Sequence, residues 1–206
     1  DLGLDLLFKL RGIQQPPPEA VVVSIDRDSA ENLKIPDNPD KWPRSVHARL
    51  VDTLLRAGAK AITFDVHFIE PKITEDDQLF EQAIRRAGNV VLADAMRAKD
   101  IPISSAGNGA SGTSNIVKLT KPHEPFARAA IGTAPFVLPR IPFKVNQYWP
   151  FQQGAGDVPT FPIVALQMYG WEGFTEIVQL VRQVNPGYAD KLPADIEQAR
   201  VTRGLV

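Results

Sequence analysis

The chain has 206 residues, 44% hydrophobic and 23% charged, which is ordinary globular usage for one domain or two small ones and excludes wholesale disorder. Lys and Arg number 23 against 24 Asp and Glu, so a net charge of −1 supplies no broad cationic field and argues against nucleic acid or anionic lipid as the main partner. The absence of Cys excludes disulfide staples, thiolate metal sites and cysteine nucleophiles, and no apolar run approaches the ~18–20 residues of a membrane-spanning helix.

In chain order, Leu2 to Leu10 is a short apolar stretch closed by Arg11-Gly12, either a helix end or an extended strap, and Pro16-Pro17-Pro18 forms a stiff polyproline II segment after it. Ala20-Val21-Val22-Val23-Ser24-Ile25-Asp26 is β-branched and apolar on both faces, which predicts a central strand ending at Asp26. After a Pro-rich loop from Ile35 to Pro43, Val46, Leu50, Leu54 and Ala57 recur at helical spacing, and Gly58 stands where a left-handed residue closes the helix. Ala61 to Phe68 alternates strictly, with Ile62, Phe64, Val66 and Phe68 on one face and Thr63, Asp65 and His67 on the other.

Thr74-Glu75-Asp76-Asp77 reads as a capping box in which the Asp77 carboxylate accepts from the Thr74 N–H. The helix it opens carries an apolar stripe of Leu79, Phe80, Ala83, Ile84 and Ala87 and closes at Gly88; Asn89 to Asp94 is a third strand. Beyond Ala95 the pattern blurs. Ser104 to Asn115 is a flexible loop by composition, Pro125 to Ala130 a short helix, Ile131 to Leu138 and Phe143 to Trp149 strands interrupted by Pro, and Phe161 to Tyr169 and Phe174 to Val184 helices.

The order β-α-β-α-β with short connections predicts an α/β fold: a mainly parallel sheet with helices on both faces, followed by an irregular second half. The expected organisation is a single domain over 1–206. It comprises an N-terminal strap (1–19), an α/β core (20–95), a loop-rich part (96–160) and a helical C-terminal part (161–206). The chain starts at Asp1 without Met and ends at Val206 with no natural stop, so both edges are expected to be cut from something longer.

Ligands of open α/β sheets bind at the carboxyl ends of the strands. That rim is predicted to carry Asp26, Arg27, Trp42, Arg44, His47, Asp65 and His67, a candidate ligand pocket of carboxylates, imidazoles, one guanidinium-rich corner and one indole. The same residues also have structural uses: strand-end carboxylates cap helices or pair with Arg, with Arg27, Arg44 and His47 as available partners, and Trp42 packs over the sheet edge. Asp26-Arg27-Asp28 after an apolar strand invites comparison with haloacid-dehalogenase-type phosphatases, in which the first Asp attacks phosphorus. Ala30 stands where that motif wants Thr or Val, and the pair Asp76-Asp77 is claimed by the capping box. A metal-dependent phosphohydrolase using Asp26 and Asp28 is therefore the alternative, and no phosphate loop, nucleophile elbow or zinc-helix motif is present.

Taken in order, Leu4 to Gly12, Val21 to Asp26 with Ser29, Trp42-Pro43-Arg44-Ser45 with His47-Ala48, Ala57 to Ile62 with Phe64-Asp65 and Phe68, Asp77, and Gly88 to Ala93 resemble the CHASE type 2 sensor domain. The resemblance is strongest over residues 4 to 94. It implies an extracytoplasmic sensor of a membrane-anchored bacterial signalling protein, flanked by transmembrane helices. The attached output would be a nucleotide cyclase, histidine kinase, Ser/Thr kinase or diguanylate enzyme in the cytoplasm. It implies a sensor rather than an enzyme and leaves the ligand open; no catalytic residue, metal or cofactor is assigned, and the expected partners are an unidentified small ligand or periplasmic protein and a second copy in a homodimer. Many members carry an Asp-x-Asp-Gly element followed by Arg in the second half, where this chain reads Ile131-Gly132-Thr133-Ala134-Pro135 and later Val145-Asn146-Gln147-Tyr148-Trp149, so no role of that element transfers. A purely structural dimerisation module without a small ligand is the third reading.

Overall fold

The computed structural model describes residues 2–104, 111–136, 138, 148–152, 155–195 and 198. The chain gathers into two compact units, Asp1–Pro43 with Leu138–Tyr148, and Arg44–Val137 with Trp149–Val206.

In the first unit, helix α1 (Leu2–Arg11) resolves the apolar N-terminal stretch as helix. The strand predicted over 20–26 is not formed: these residues take no regular structure, and Val21, Val22 and Val23 are 82%, 90% and 48% exposed. A β-branched run becomes a strand only where a ladder and a covering layer meet it. Helix α2 (Arg27–Leu33) comes next instead, with Asp26 as its N-cap. One Asp26 carboxylate oxygen accepts from the Ser29 N–H at 2.9 Å and the Ser29 hydroxyl at 2.7 Å, while Lys34, at φ 55°, closes the helix in the left-handed region.

The second unit is an α/β sandwich. Helix α3 (Arg44–Arg56) leads to β1 (Ile62–Phe64), α4 (Thr74–Ala87) and β2 (Val90–Ser104). Next come β3 (Ser111–Thr120), α5 (Glu124–Ala129) and β4 (Gly132–Pro135). The sheet is parallel where β2 pairs β1 (Ile62 with Val90) on one side and β4 (Val91 with Gly132) on the other. Beyond Asp94, β2 continues as an antiparallel partner of β3, from Ala95 with Thr120 to Ser104 with Ser111. The predicted parallel sheet is present, assembled around β2 from β1 and β4, with no strand from residues 20–26. Ser104 and Ser111 to Asn115, expected as loop, lie in the long ladder; the strand predicted over Phe143 to Trp149 falls mostly outside the described residues.

Helices cover both faces. On one, Ile62, Phe64, Val90 and Leu92 pack with Ala48 and Val51 of α3, Phe80, Ala83 and Ile84 of α4, and Phe126 of α5. On the other, Val91, Ala93 and Ala134 meet Phe161 and Met168 of α6 (Phe161–Tyr169). The alternation along β2 therefore serves two cores at once, as a strand buried on both sides requires. The short ribbon of β5 (Phe151–Gln152) and β6 (Val158–Pro159) delivers the chain to α6. There the Thr160 hydroxyl donates to the Trp149 carbonyl at 2.6 Å. A 3₁₀ turn (Gly170–Gly173), α7 (Phe174–Val184) and α8 (Pro186–Ala189) follow.

Gly88 ends α4 at φ 64°, and a Cβ there would meet nothing within 4 Å, so its requirement is conformational alone. Gly88→Ala is expected to cost about 1 kcal/mol, read as a lower urea midpoint with an unchanged slope.

Candidate functional site

The structure places the seven predicted rim residues in different roles. Asp26 caps α2. The Ser29 hydroxyl, and after it the Ser29 backbone N–H, hold its carboxyl below the ordinary carboxylate range. That cap accounts for Asp26 without any phosphoryl chemistry. Arg27 is exposed and pairs with Glu31 at 3.0 Å and Asp37 at 3.7 Å. The Trp42 indole donates to the Pro36 carbonyl at 2.7 Å.

Because the folded Asp26 carboxyl titrates lower than the unfolded one, the stabilisation it gives α2 is complete above the unfolded value, about 3.9, and is lost as pH falls through the lower folded value. The expected result is that hydrogen-exchange protection of the Ser29 and Ala30 amides drops over this acid range. Asp26→Ala should show the lowered protection already at neutral pH.

Arg44 and His47 open α3 and are buried within the second unit. The Arg44 guanidinium donates to the Glu70 carbonyl at 3.3 Å and faces an Asp77 oxygen at 3.7 Å. It stands 4.6 Å from the centre of Phe68 and 5.9 Å from that of Phe126. His47 lies among Phe64, Phe68 and Phe80 at ring separations of 6.2, 5.1 and 5.8 Å. Asp77 does not close the expected capping box. Thr74 is the first helical residue rather than the cap, so the spacing slips by one, and the other Asp77 oxygen accepts from the Lys72 N–H at 2.7 Å. This carboxylate thereby ties α3 to the start of α4. Asp65 and His67 come after β1, at the carboxyl end of that strand, and are both exposed.

A second polar cluster, not anticipated from the sequence, lies at the β2–β4 side of the sheet. The Asp94 side chain is 1% exposed, and the Lys121 ammonium donates to it at 3.0 Å and to the Thr133 hydroxyl at 2.8 Å. The other Asp94 oxygen is buried without a hydrogen-bond partner among the described residues. Lys121 and Thr133 line a cavity of about 150 Å³ whose other walls include Ile131, Val164, Gln167, Met168 and Trp171. The only hint in the sequence is Asp94 itself, an acid that continues the Val90-Leu92 face of an otherwise apolar strand; Lys121, 27 residues on, has no local signature.

No group of His, Asp or Glu suited to a metal ion occurs among the described residues, and no described helix is long and apolar enough to cross a membrane. Compared with known proteins, residues 2–198 match the family model described as CHASE2 domain. No curated protein and no solved structure matches the chain.

Proposed function

Because the chain belongs to the CHASE2 family, sensory domains that are typically extracellular in signalling proteins, we propose that it is the extracytoplasmic input domain of a membrane-anchored bacterial receptor. The match over residues 2–198 carries this reading, since it spans nearly the whole chain. In this role the domain receives a small ligand or a periplasmic partner and biases a cytoplasmic cyclase or kinase output, working as a homodimer. Signal transfer requires only that the stimulus prefer one of two arrangements of the chain. Among the predicted rim residues, Asp65 and His67 are open to solvent on the second unit, whereas Arg44 and His47 already serve its packing.

Protease added to spheroplasts carrying the intact protein should cleave within this domain while a cytoplasmic control stays whole. Cleavage only after lysis would overturn the assignment. Sedimentation of the 206-residue chain should give a dimer at micromolar concentration.

A further inference from the structure

We propose that the cavity beside Lys121 is a binding site for a small uncharged molecule with an apolar ring-sized body and one carbonyl-type hydrogen-bond acceptor. A volume of about 150 Å³ holds one six-membered ring. Ile131, Val164, Met168 and Trp171 offer such a ring apolar walls, as small-ligand sites usually do. The polar groups are donors in surplus. An ammonium carries three N–H groups, and Lys121 spends hydrogen bonds on Asp94 and Thr133, leaving one. Gln167 adds an amide that has no side-chain partner among the described residues.

Charge selects the class. Among the described residues lining the cavity, Lys121 is the one ionisable side chain, and Asp94, buried at 3.0 Å, already neutralises it. A ligand carboxylate would have to compete with Asp94 for an ammonium that is already paired, whereas a ketone, lactone or amide oxygen takes the spare donors without displacing that pair. Asp94 thus serves as the counter-ion that leaves the pair without net charge while the Lys121 ammonium keeps an N–H to give.

The inference rests on the sensor reading for its biological meaning, but binding is measured on the 206-residue chain alone. Cyclohexanone is the probe, benzene the acceptor-free control and cyclohexanecarboxylate the charged one, titrated while two-dimensional amide and indole NMR signals are followed. Cyclohexanone should shift Gly132, Thr133, Met168 and Trp171 saturably, with Kd on the order of 1 mM for a ligand this small, and should bind about fivefold more tightly than either control. Gln167→Leu should weaken cyclohexanone by a similar factor and leave benzene unchanged. Lys121→Met would strand the Asp94 charge, so it is paired with Asp94→Asn; the double variant should lose the preference for cyclohexanone over benzene. No saturable shift at these residues, equal binding of benzene, tighter binding of the carboxylate, or an unchanged preference in both variants would each overturn the proposal. Absence of binding in a protein whose domain is cleaved in spheroplasts sinks this inference alone. Saturation of the cavity in an intact receptor whose output does not move counts against the sensor reading and leaves the binding site standing.

Discussion

Arg44→Met is expected to destabilise the second unit by about 3–5 kcal/mol, the cost of leaving one member of a buried ion pair alone. The Arg44 and Asp77 side chains are only 5% and 11% exposed, so water cannot take over the lost partner. Asp77 would keep its bond from the Lys72 N–H but lose the guanidinium facing its second oxygen. The flat cation over Phe68 would go with it. Methionine keeps much of the volume, which separates the charge effect from a packing defect. Arg44→Met combined with Asp77→Leu should recover a large part of the loss, because two well-packed apolar groups replace a desolvated pair at little net cost. Urea unfolding of the two variants decides the matter: a single variant within about 1 kcal/mol of the parent, close to the range of surface changes, would show the pair to be screened.

Phe80→Ala should cost a similar amount, about 3–5 kcal/mol, through a cavity rather than a charge. Phe80 is fully buried and central to the aromatic cluster, with ring centres at 4.8 Å to Phe68, 5.1 Å to Phe126 and 5.8 Å to both Phe64 and His47. These neighbours come from α3, β1, the segment after β1 and α5, so the walls cannot all relax toward one hole. Phe80→Leu should recover more than half of the loss. A thermal or urea midpoint shift for Phe80→Ala no larger than that for Gly88→Ala would contradict the packing described.

The elements legible in the sequence are those whose pattern serves one local purpose. The stripe of α4 and the alternation of Ile62, Phe64 and Phe68 each report a buried face where the spacing puts it. Helices α3, α6 and α7 form as the sequence predicts, although α3 buries Ala48 and Val51 with Leu50 and Leu54 only partly covered, and Ile177, Leu180 and Val184 of α7 are exposed. The alternation even outlasts the strand: β1 stops at Phe64, yet Phe68 is buried in the same core. The run Val21 to Ile25 misleads because strand formation depends on partners that no local pattern encodes, and Asp26 acts forward as a helix cap rather than backward as a strand end. The candidate site is legible only in part for a related reason. Arg44 and His47 have the polar chemistry of a ligand site, but their placement on the inner face of α3 gives that chemistry to Glu70, Asp77 and a ring of Phe. Lys121, Asp94 and Thr133 meet only because β4 returns beside β2. Contacts that topology creates at such separations leave no periodicity behind.

The length of β2 has a mechanical consequence. Its first five residues are clamped between two neighbours and between two apolar layers, whereas the ten from Ala95 to Ser104 have β3 as their ladder partner. At about 3.3 Å per residue that part reaches roughly 33 Å, so a tilt of about 10° at its root would sweep its end through about 6 Å. Sliding is barred, because a shift of one residue would turn Val90 and Leu92 into the opposite layer. The ladder of β2 with β3 therefore runs without a break into the strand that carries Asp94, so a displacement along it enters the sheet beside that carboxylate.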